Sequence, residues 1–156
     1  MAQPFGIYIH WPFCKSKCPY CDFFSRVEKN VDQTAVVKSY LEDLEFYAAM
    51  TPGRKVTSVF FGGGTPSLLR PQLISQILDK IAALWKVSPD IEVSLEANPN
   101  TTTPTLFADL NHAGINRLSL GVQSFNDAEL KFLGRTHNAA MARQALEEVL
   151  KNFTNH

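Results

Sequence analysis

The sequence predicts an α/β fold made of parallel βα units, and three observations carry that expectation. Short apolar runs rich in β-branched and aromatic residues occur four times. Each is followed by a stretch whose apolar residues recur every three or four positions, the spacing of one helical face. The polar and thiol residues with chemical potential sit just after the apolar runs, where parallel α/β folds build their sites.

Taken in order, FGIYIHW (5–11) suits a buried strand, and the cysteine loop follows directly. From 32 to 50, Val36, Val37, Tyr40, Leu41, Leu44 and Tyr47 mark a helical face that Pro52 and Gly53 stop. KVTSVFFGGG (55–64) is a second strand running into glycines. PQLISQILDKIAALW (71–85) is a second helix, opened by Pro71 and striped by Leu73, Ile77, Ile81 and Leu84. IEVSLEANP (91–99) is the third strand. Thr103 and Pro104 then read as N-cap and first position of a helix ending at Gly114. RLSLGVQ (117–123) is the fourth strand. Asn126 with Glu129 resembles a capping box for a short helix to Leu133, and 138–153 forms a longer one. Helices that return the chain to the same end of the sheet imply parallel strands with right-handed crossovers. A doubly wound sheet and half of a (βα)8 barrel both satisfy this, since a whole barrel needs roughly 250 residues.

Composition narrows the function classes. Fifteen Lys plus Arg balance fifteen Asp plus Glu, and 45% of residues are hydrophobic. That balance gives no reason to expect nucleic acid or an anionic membrane as the main partner. MAQPFGIYIHWPF has no basic start, and His10 and Pro12 interrupt its apolar run, so neither a signal peptide nor a membrane span fits. A cytosolic chain with reduced thiols is expected.

All three cysteines fall in CKSKCPYC (14–21), as C-x3-C-x2-C. Three thiolates on one small loop suit an iron–sulfur cluster, which normally takes four, so one iron would stay open. Zinc, with His10 as fourth ligand, is the rival, although the two-pair zinc spacing is missing. Unrelated buried cysteines would not alternate with Lys15, Ser16, Lys17 and Pro19. Tyr8 and His10, one strand period apart, project to the same side, and His10 reads as a packed strand residue. The run FFGGGTPS (60–67) leaves backbone N–H groups open to a ligand or simply makes a tight turn; it is neither a P-loop nor a Rossmann turn.

In order and spacing, YIHWPFCKSKCPYC, FFGGGTPSLL, LEANP and LSLGVQSFNDAELKFLGRTH resemble the radical S-adenosylmethionine enzymes related to oxygen-independent coproporphyrinogen III oxidase. The resemblance runs from Tyr8 to about His137 and implies the N-terminal half of a radical SAM partial TIM barrel. It implies a [4Fe–4S] cluster on Cys14, Cys18 and Cys21, whose open iron is chelated by S-adenosylmethionine and whose electron generates a 5′-deoxyadenosyl radical. By motif, Tyr8, Gly63, Gly64, Thr65, Glu96, Gln123 and Arg135 match contacts to S-adenosylmethionine. Tyr20, beside Cys21, is a candidate contact for a second such molecule.

One departure matters. The decarboxylating oxidases carry a fourth cysteine two residues past the third, where this sequence has Phe23. The CDFFS and GVQSF…LGRTH segments look instead like the HemW-type haem chaperone branch. That implies haem as a further ligand and haem-accepting respiratory proteins as partners, with a porphyrinogen substrate as the alternative, and a reductant such as flavodoxin or ferredoxin. Residues 1–156 are then expected to be the N-terminal part of the core domain, truncated before a fifth strand and its acidic contact, and not to turn over alone. Four units would leave an open sheet edge and an exposed barrel interior, which a second copy in a homodimer would cover.

Overall fold

The computed structural model describes residues 3–153; Met1 and Ala2, the start of the N-terminal stretch read above, and residues 154–156 lie outside the described residues. The elements are β1 (Phe5–Trp11), β2 (Phe13–Cys14), β3 (Arg26–Val27), α1 (Gln33–Met50), β4 (Lys55–Gly63), α2 (Pro71–Leu84), β5 (Lys86–Ala97), α3 (Pro104–His112), β6 (Arg117–Leu120), α4 (Asp127–Phe132) and α5 (Ala139–Asn152). β1, β4, β5 and β6 pair in chain order into one wholly parallel sheet.

That order decides between the two architectures. A doubly wound sheet reverses its order at a switch point, whereas successive right-handed crossovers that always step the same way lay every helix on one face and curl the sheet as a barrel does. Ile9, Phe61, Leu95 and Leu118 form one cross-strand row on the helix side, all buried. Leu73, Ile74, Ile77 and Ile81 of α2 and Phe107 and Leu110 of α3 belong to the same core. The opposite face carries the next row, Tyr8, Phe60, Ser94 and Arg117. Ser94 is fully buried there and is satisfied by Arg117 Nη1, which donates at 3.2 Å, and by Glu92, to which its hydroxyl donates at 2.7 Å.

Helix starts follow the capping chemistry. Asp32, Thr103, Asn126 and Asn138 each accept a backbone N–H of the first turn, and Pro71 and Pro104 occupy first positions. The box at α4 differs from expectation: Glu129 accepts from Ser124 Oγ, and that hydroxyl accepts the Asn126 N–H at 3.0 Å, so the return contact is relayed. On α1, Val37 and Leu44 are buried and the Tyr40 hydroxyl donates to the His10 carbonyl at 2.5 Å. Burial, with Asp43 nearby, pushes that hydroxyl up to about 12, so it stays a donor. Tyr47 is exposed because it overhangs edge strand β1, which no further strand covers.

The strands depart from the sequence pattern chiefly in three places. β5 begins at Lys86, not 91, because Lys86 and Val87 pair with Lys55 and Val56 before the register jumps to Ser58 opposite Glu92. Pro89 lies in the bulge so produced, where no ladder N–H is required. β6 ends at Leu120, since Gly121–Gln123 turn away from the ladder. β2 and β3, two residues each, have no periodicity to read. β1 and β6 are the sheet's edges, as expected. Among the described residues, no helix is long and apolar enough to cross a membrane.

The core row sets a stability expectation. Phe61→Ala removes a fully buried ring and is expected to cost about 3–5 kcal/mol, whereas Phe132→Ala, at a ring 87% exposed, should stay within about 0.5 kcal/mol of the parent. Urea midpoints at unchanged m-value measure both.

Candidate functional site

The site begins with how the cysteine loop is held. Phe13–Cys14 pairs in parallel with Arg26–Val27, and the Arg26 N–H donates to the Pro12 carbonyl at 2.8 Å, so residues 14–27 leave and re-enter the fold at one point. Inside, the Cys21 N–H donates to the Cys18 carbonyl at 3.0 Å. Lys17 Nζ reaches back to the Phe23 carbonyl at 2.8 Å and Ser25 Oγ at 2.9 Å. Lys17, which in the sequence only separates the cysteines, thus staples the loop.

The glycines after β4 dock this loop onto the sheet. Gly64 N–H donates to the Trp11 carbonyl at 2.7 Å and Thr65 N–H to that of Phe13 at 2.9 Å. A Cβ on Gly64 would lie 2.7 Å from the Phe13 carbonyl oxygen, and one on Gly63, whose φ is 112°, would lie 2.6 Å from the His10 ring. Gly63 N–H donates to Glu96 Oε2 at 3.1 Å. The backbone N–H groups of 63–65 are therefore engaged within the protein, which fits the tight-turn reading of the run rather than the open-donor one. Missing side chains here let strands and rings approach closely.

A cavity of about 320 Å³ opens at the C-terminal ends of the strands, walled by Cys14, Cys18, Cys21, Gly64, Thr65, Glu96, Gln123 and Arg135. Arg135 is its hub. Nη1 reaches Cys18 Sγ at 3.5 Å and the Tyr20 hydroxyl at 3.2 Å, and Nη2 donates to Asn98 Oδ1 and to the Gly121 carbonyl at 2.8 Å. Asn98 Nδ2 donates on to Thr65 Oγ1 at 3.2 Å, whose hydroxyl meets Cys14 Sγ at 3.5 Å. Gly134, at φ 66°, leaves room for Pro19 of the cysteine loop, which a Cβ would approach to 2.6 Å. Asn98 stood in the LEANP segment without a stated role; its two-ended amide joins Arg135 to Thr65.

Glu96 supplies the negative charge of the wall. Burial raises its pKa, against the lowering effects of the Gly63 N–H and of His10. Tyr8 and Gly63 lie beside the cavity and do not line it. Tyr8, 57% exposed, lines a separate groove of about 360 Å³ along the β1 edge. Its hydroxyl lies 3.1 Å from His10 Nδ1, while His10 Nε2 lies 2.9 Å from the Phe24 carbonyl. A carbonyl only accepts, so Nε2 donates to it, while Nδ1 faces the Tyr8 hydroxyl. With both nitrogens engaged, His10 is held as a packed strand residue.

The donor set fits a cluster better than a single ion. Structural zinc takes a closed set of four ligands, whereas the cavity wall presents three thiols and both nitrogens of His10 are engaged elsewhere. A cluster spreads its thiolates over several irons. The three thiols are free. Arg135 donates to one sulfur and Thr65 to another, contacts that suit sulfur ligands carrying negative charge. Arg135 Nε is a buried donor without a partner, and Arg135 makes no ion pair among the described residues.

The chain is 44% identical over 143 residues to the haem chaperone HemW of Escherichia coli, covering 91% of this chain and 38% of that protein. It is 40% identical over 152 residues to the mitochondrial radical S-adenosyl methionine domain-containing protein 1 of Bos taurus, covering 97% of this chain and 34% of that protein. The solved structure of coproporphyrinogen III oxidase HemN from Escherichia coli superposes with a TM-score of 0.81 at 29% identity, over 97% of this chain and 35% of that one. The chain thus spans between a third and two-fifths of the relatives it matches. The family model described as the radical SAM superfamily matches residues 8–155. With its parallel sheet in chain order and its cysteine loop at the strand ends, the chain belongs to the radical SAM superfamily.

Proposed function

We propose that the cavity holds a [4Fe–4S] cluster on Cys14, Cys18 and Cys21 with S-adenosylmethionine beside it, and that the chain is the N-terminal part of the core domain of a haem chaperone. The observation that carries the cluster is the convergence itself. The chain's three thiols share one cavity wall with Glu96, Gln123 and Arg135, the last bonded to Cys18 across 117 residues of sequence. Bound there, the cluster supplies a single electron for reductive cleavage of the sulfonium.

The protein's own groups do the rest. Glu96 offers a carboxylate to an ammonium or ribose hydroxyls, and Arg135 offers a fork whose buried Nε lacks an acceptor. Gln123 adds an amide to the same wall. Tyr8 extends the site along β1 through its bond with His10, and Gly63 holds Glu96 in place by its N–H. Tyr20, tied to Arg135, remains the candidate contact for a second S-adenosylmethionine.

Two points support a chaperone over a porphyrinogen decarboxylase. Identity is higher to the haem chaperone than to the oxidase, 44% against 29%. Phe23, on the cavity wall and 59% exposed, stands where the oxidases carry their fourth cysteine. Haem, its acceptor proteins and a flavodoxin- or ferredoxin-type reductant are the partners this function needs, in the cytoplasm.

Three outcomes are expected. Anaerobic reconstitution should load about four irons and four sulfides per chain, with an EPR signal of the reduced protein that shifts on adding S-adenosylmethionine. Alanine at Cys14, Cys18 or Cys21 should abolish loading, and uptake of zinc alone by the parent would sink the cluster. Haem titrated into the full-length protein should give a saturable Soret change at micromolar concentration; its absence, with anaerobic decarboxylation of coproporphyrinogen III in its place, would favour the oxidase.

A fourth concerns pH. Because burial raises the pKa of Glu96 in the folded state, its contribution to stability is complete below the unfolded carboxylate pKa and is lost as pH rises through the folded value. Glu96→Gln should therefore compare more favourably with the parent at pH 7 than at pH 4 in apo-protein urea melts. It should also weaken S-adenosylmethionine binding. An advantage that is the same at both pH values would contradict the sign.

A further inference from the structure

Gln123 is the one non-glycine residue with positive φ among the described residues, at 66°. A glutamine held in the left-handed region is strained, and such strain persists where the surroundings impose it and concentrates at functional sites. The chain around it has left the sheet. Gly121 N–H still donates to the Ala97 carbonyl at 2.8 Å, but beyond Leu120 no strand pairing remains, and the Val122 and Ser124 N–H groups donate to the carbonyls of Leu120 and Val122, two residues back.

Two side chains from beyond α4 grip this turn by its carbonyls. Arg135 Nη2 donates to the Gly121 carbonyl at 2.8 Å, and His137 Nε2 donates to the Val122 carbonyl at 3.0 Å. His137 is 4% exposed, and its other ring nitrogen has no partner. A buried imidazole with one nitrogen unsatisfied carries a desolvation cost, and the one hydrogen bond this ring makes is to the turn. Its position is fixed from the far side. Asn138 caps α5, and Asp127 of α4 accepts the Ala139 N–H at 2.7 Å. Arg143 of α5 lies 4.8 Å above the Phe125 ring, just past the turn. The docking of α5 is thereby transmitted to the two peptides before Gln123, whose amide nitrogen lies back near Gly121 on the cavity wall.

We propose that His137 is a positioning residue: its bond to the Val122 carbonyl imposes the left-handed backbone at Gln123 and so fixes the Gln123 amide in the cavity for S-adenosylmethionine. This rests on the reading that the cavity takes that ligand. Arg135 touches the cysteine loop directly, so its loss would disturb several contacts at once; His137 touches only the turn by hydrogen bond and acts through Gln123.

The test compares His137→Met, which fills the space without a donor, with His137→Gln, whose amide restores an N–H at the reach of Nε2. In reconstituted full-length protein, the S-adenosylmethionine titration of the cluster EPR signal should weaken about tenfold or more in His137→Met, stay close to the parent in His137→Gln, and weaken similarly in Gln123→Ala. The double variant His137→Met/Gln123→Ala should be no worse than Gln123→Ala alone. Iron and sulfide content should be the same in all four. In the apo protein, Gln123 Cα and Cβ chemical shifts should report left-handed backbone for the parent and His137→Gln and lose it in His137→Met. A His137→Met variant that binds like the parent, or effects that add in the double variant, overturns the positioning role alone. A parent protein that loads its cluster but gives no S-adenosylmethionine response overturns the ligand reading and, with it, the assignment of Gln123.

Discussion

Parallel pairing in chain order constrains everything else in this molecule. Because β1, β4, β5 and β6 each add beside the last strand and point the same way, all four C-terminal ends share one rim, while α1, α2, α3 and α5 bury their apolar residues in one core with the sheet. The apolar row through Ile9, Phe61, Leu95 and Leu118 is then free to be core, and the alternate row to be polar. A slip of one residue would exchange the rows, burying Tyr8, Glu96 and Arg117 under the helices. The hydrophobic pattern that fixes the register for stability also aims the functional side chains.

Arg135 then joins the two ends of that rim. It lies 117 residues from Cys18 yet bonds to it, to Tyr20, to Asn98 and to the turn at Gly121. A partly buried guanidinium with no carboxylate partner carries a desolvation cost that its neutral acceptors offset only in part. Negative charge on the sulfurs, or on a bound carboxylate, would offset the rest. The sulfur ligands and the S-adenosylmethionine carboxylate proposed for this cavity would supply that charge to a guanidinium already held in place by its neutral partners.

Much of this was legible in the residues. Long amphipathic segments such as α2 and the Thr103 N-cap read correctly because each depends on neighbours three or four positions away; the Asp32 and Asn138 caps appear only in the fold. The convergence of four motifs on one cleft also followed, since it needs only the parallel rule. What was hidden depends on distant or non-periodic contacts. The β2–β3 pair is too short to have a period. The bulge in β5 reflects its pairing with β4. Lys17, Asn98 and His137 have roles set by carbonyls and amides that the fold brings to them. The assignment of Tyr8 and Glu96 to a ligand came from resemblance, not from periodicity.

The glycine run shows most clearly how local chemistry is redirected by tertiary contact. Taken alone, FFGGGTPS offers three backbone donors to an incoming anion. In the fold, Gly63, Gly64 and Thr65 spend those donors on Glu96, Trp11 and Phe13, and the absent Cβ atoms make room for the His10 ring and the Phe13 backbone. The motif therefore acts first as a spacer that sets the cysteine loop against β4 and holds one oxygen of the Glu96 carboxylate. A ligand reaching this rim meets side chains whose positions the glycines have fixed, and the electrostatic work falls to Glu96 and Arg135 rather than to the main chain. Any added Cβ at Gly64 would displace the strand that carries Cys14, so the tolerance of this turn is governed by the cysteine loop it supports and not by its own conformational preference.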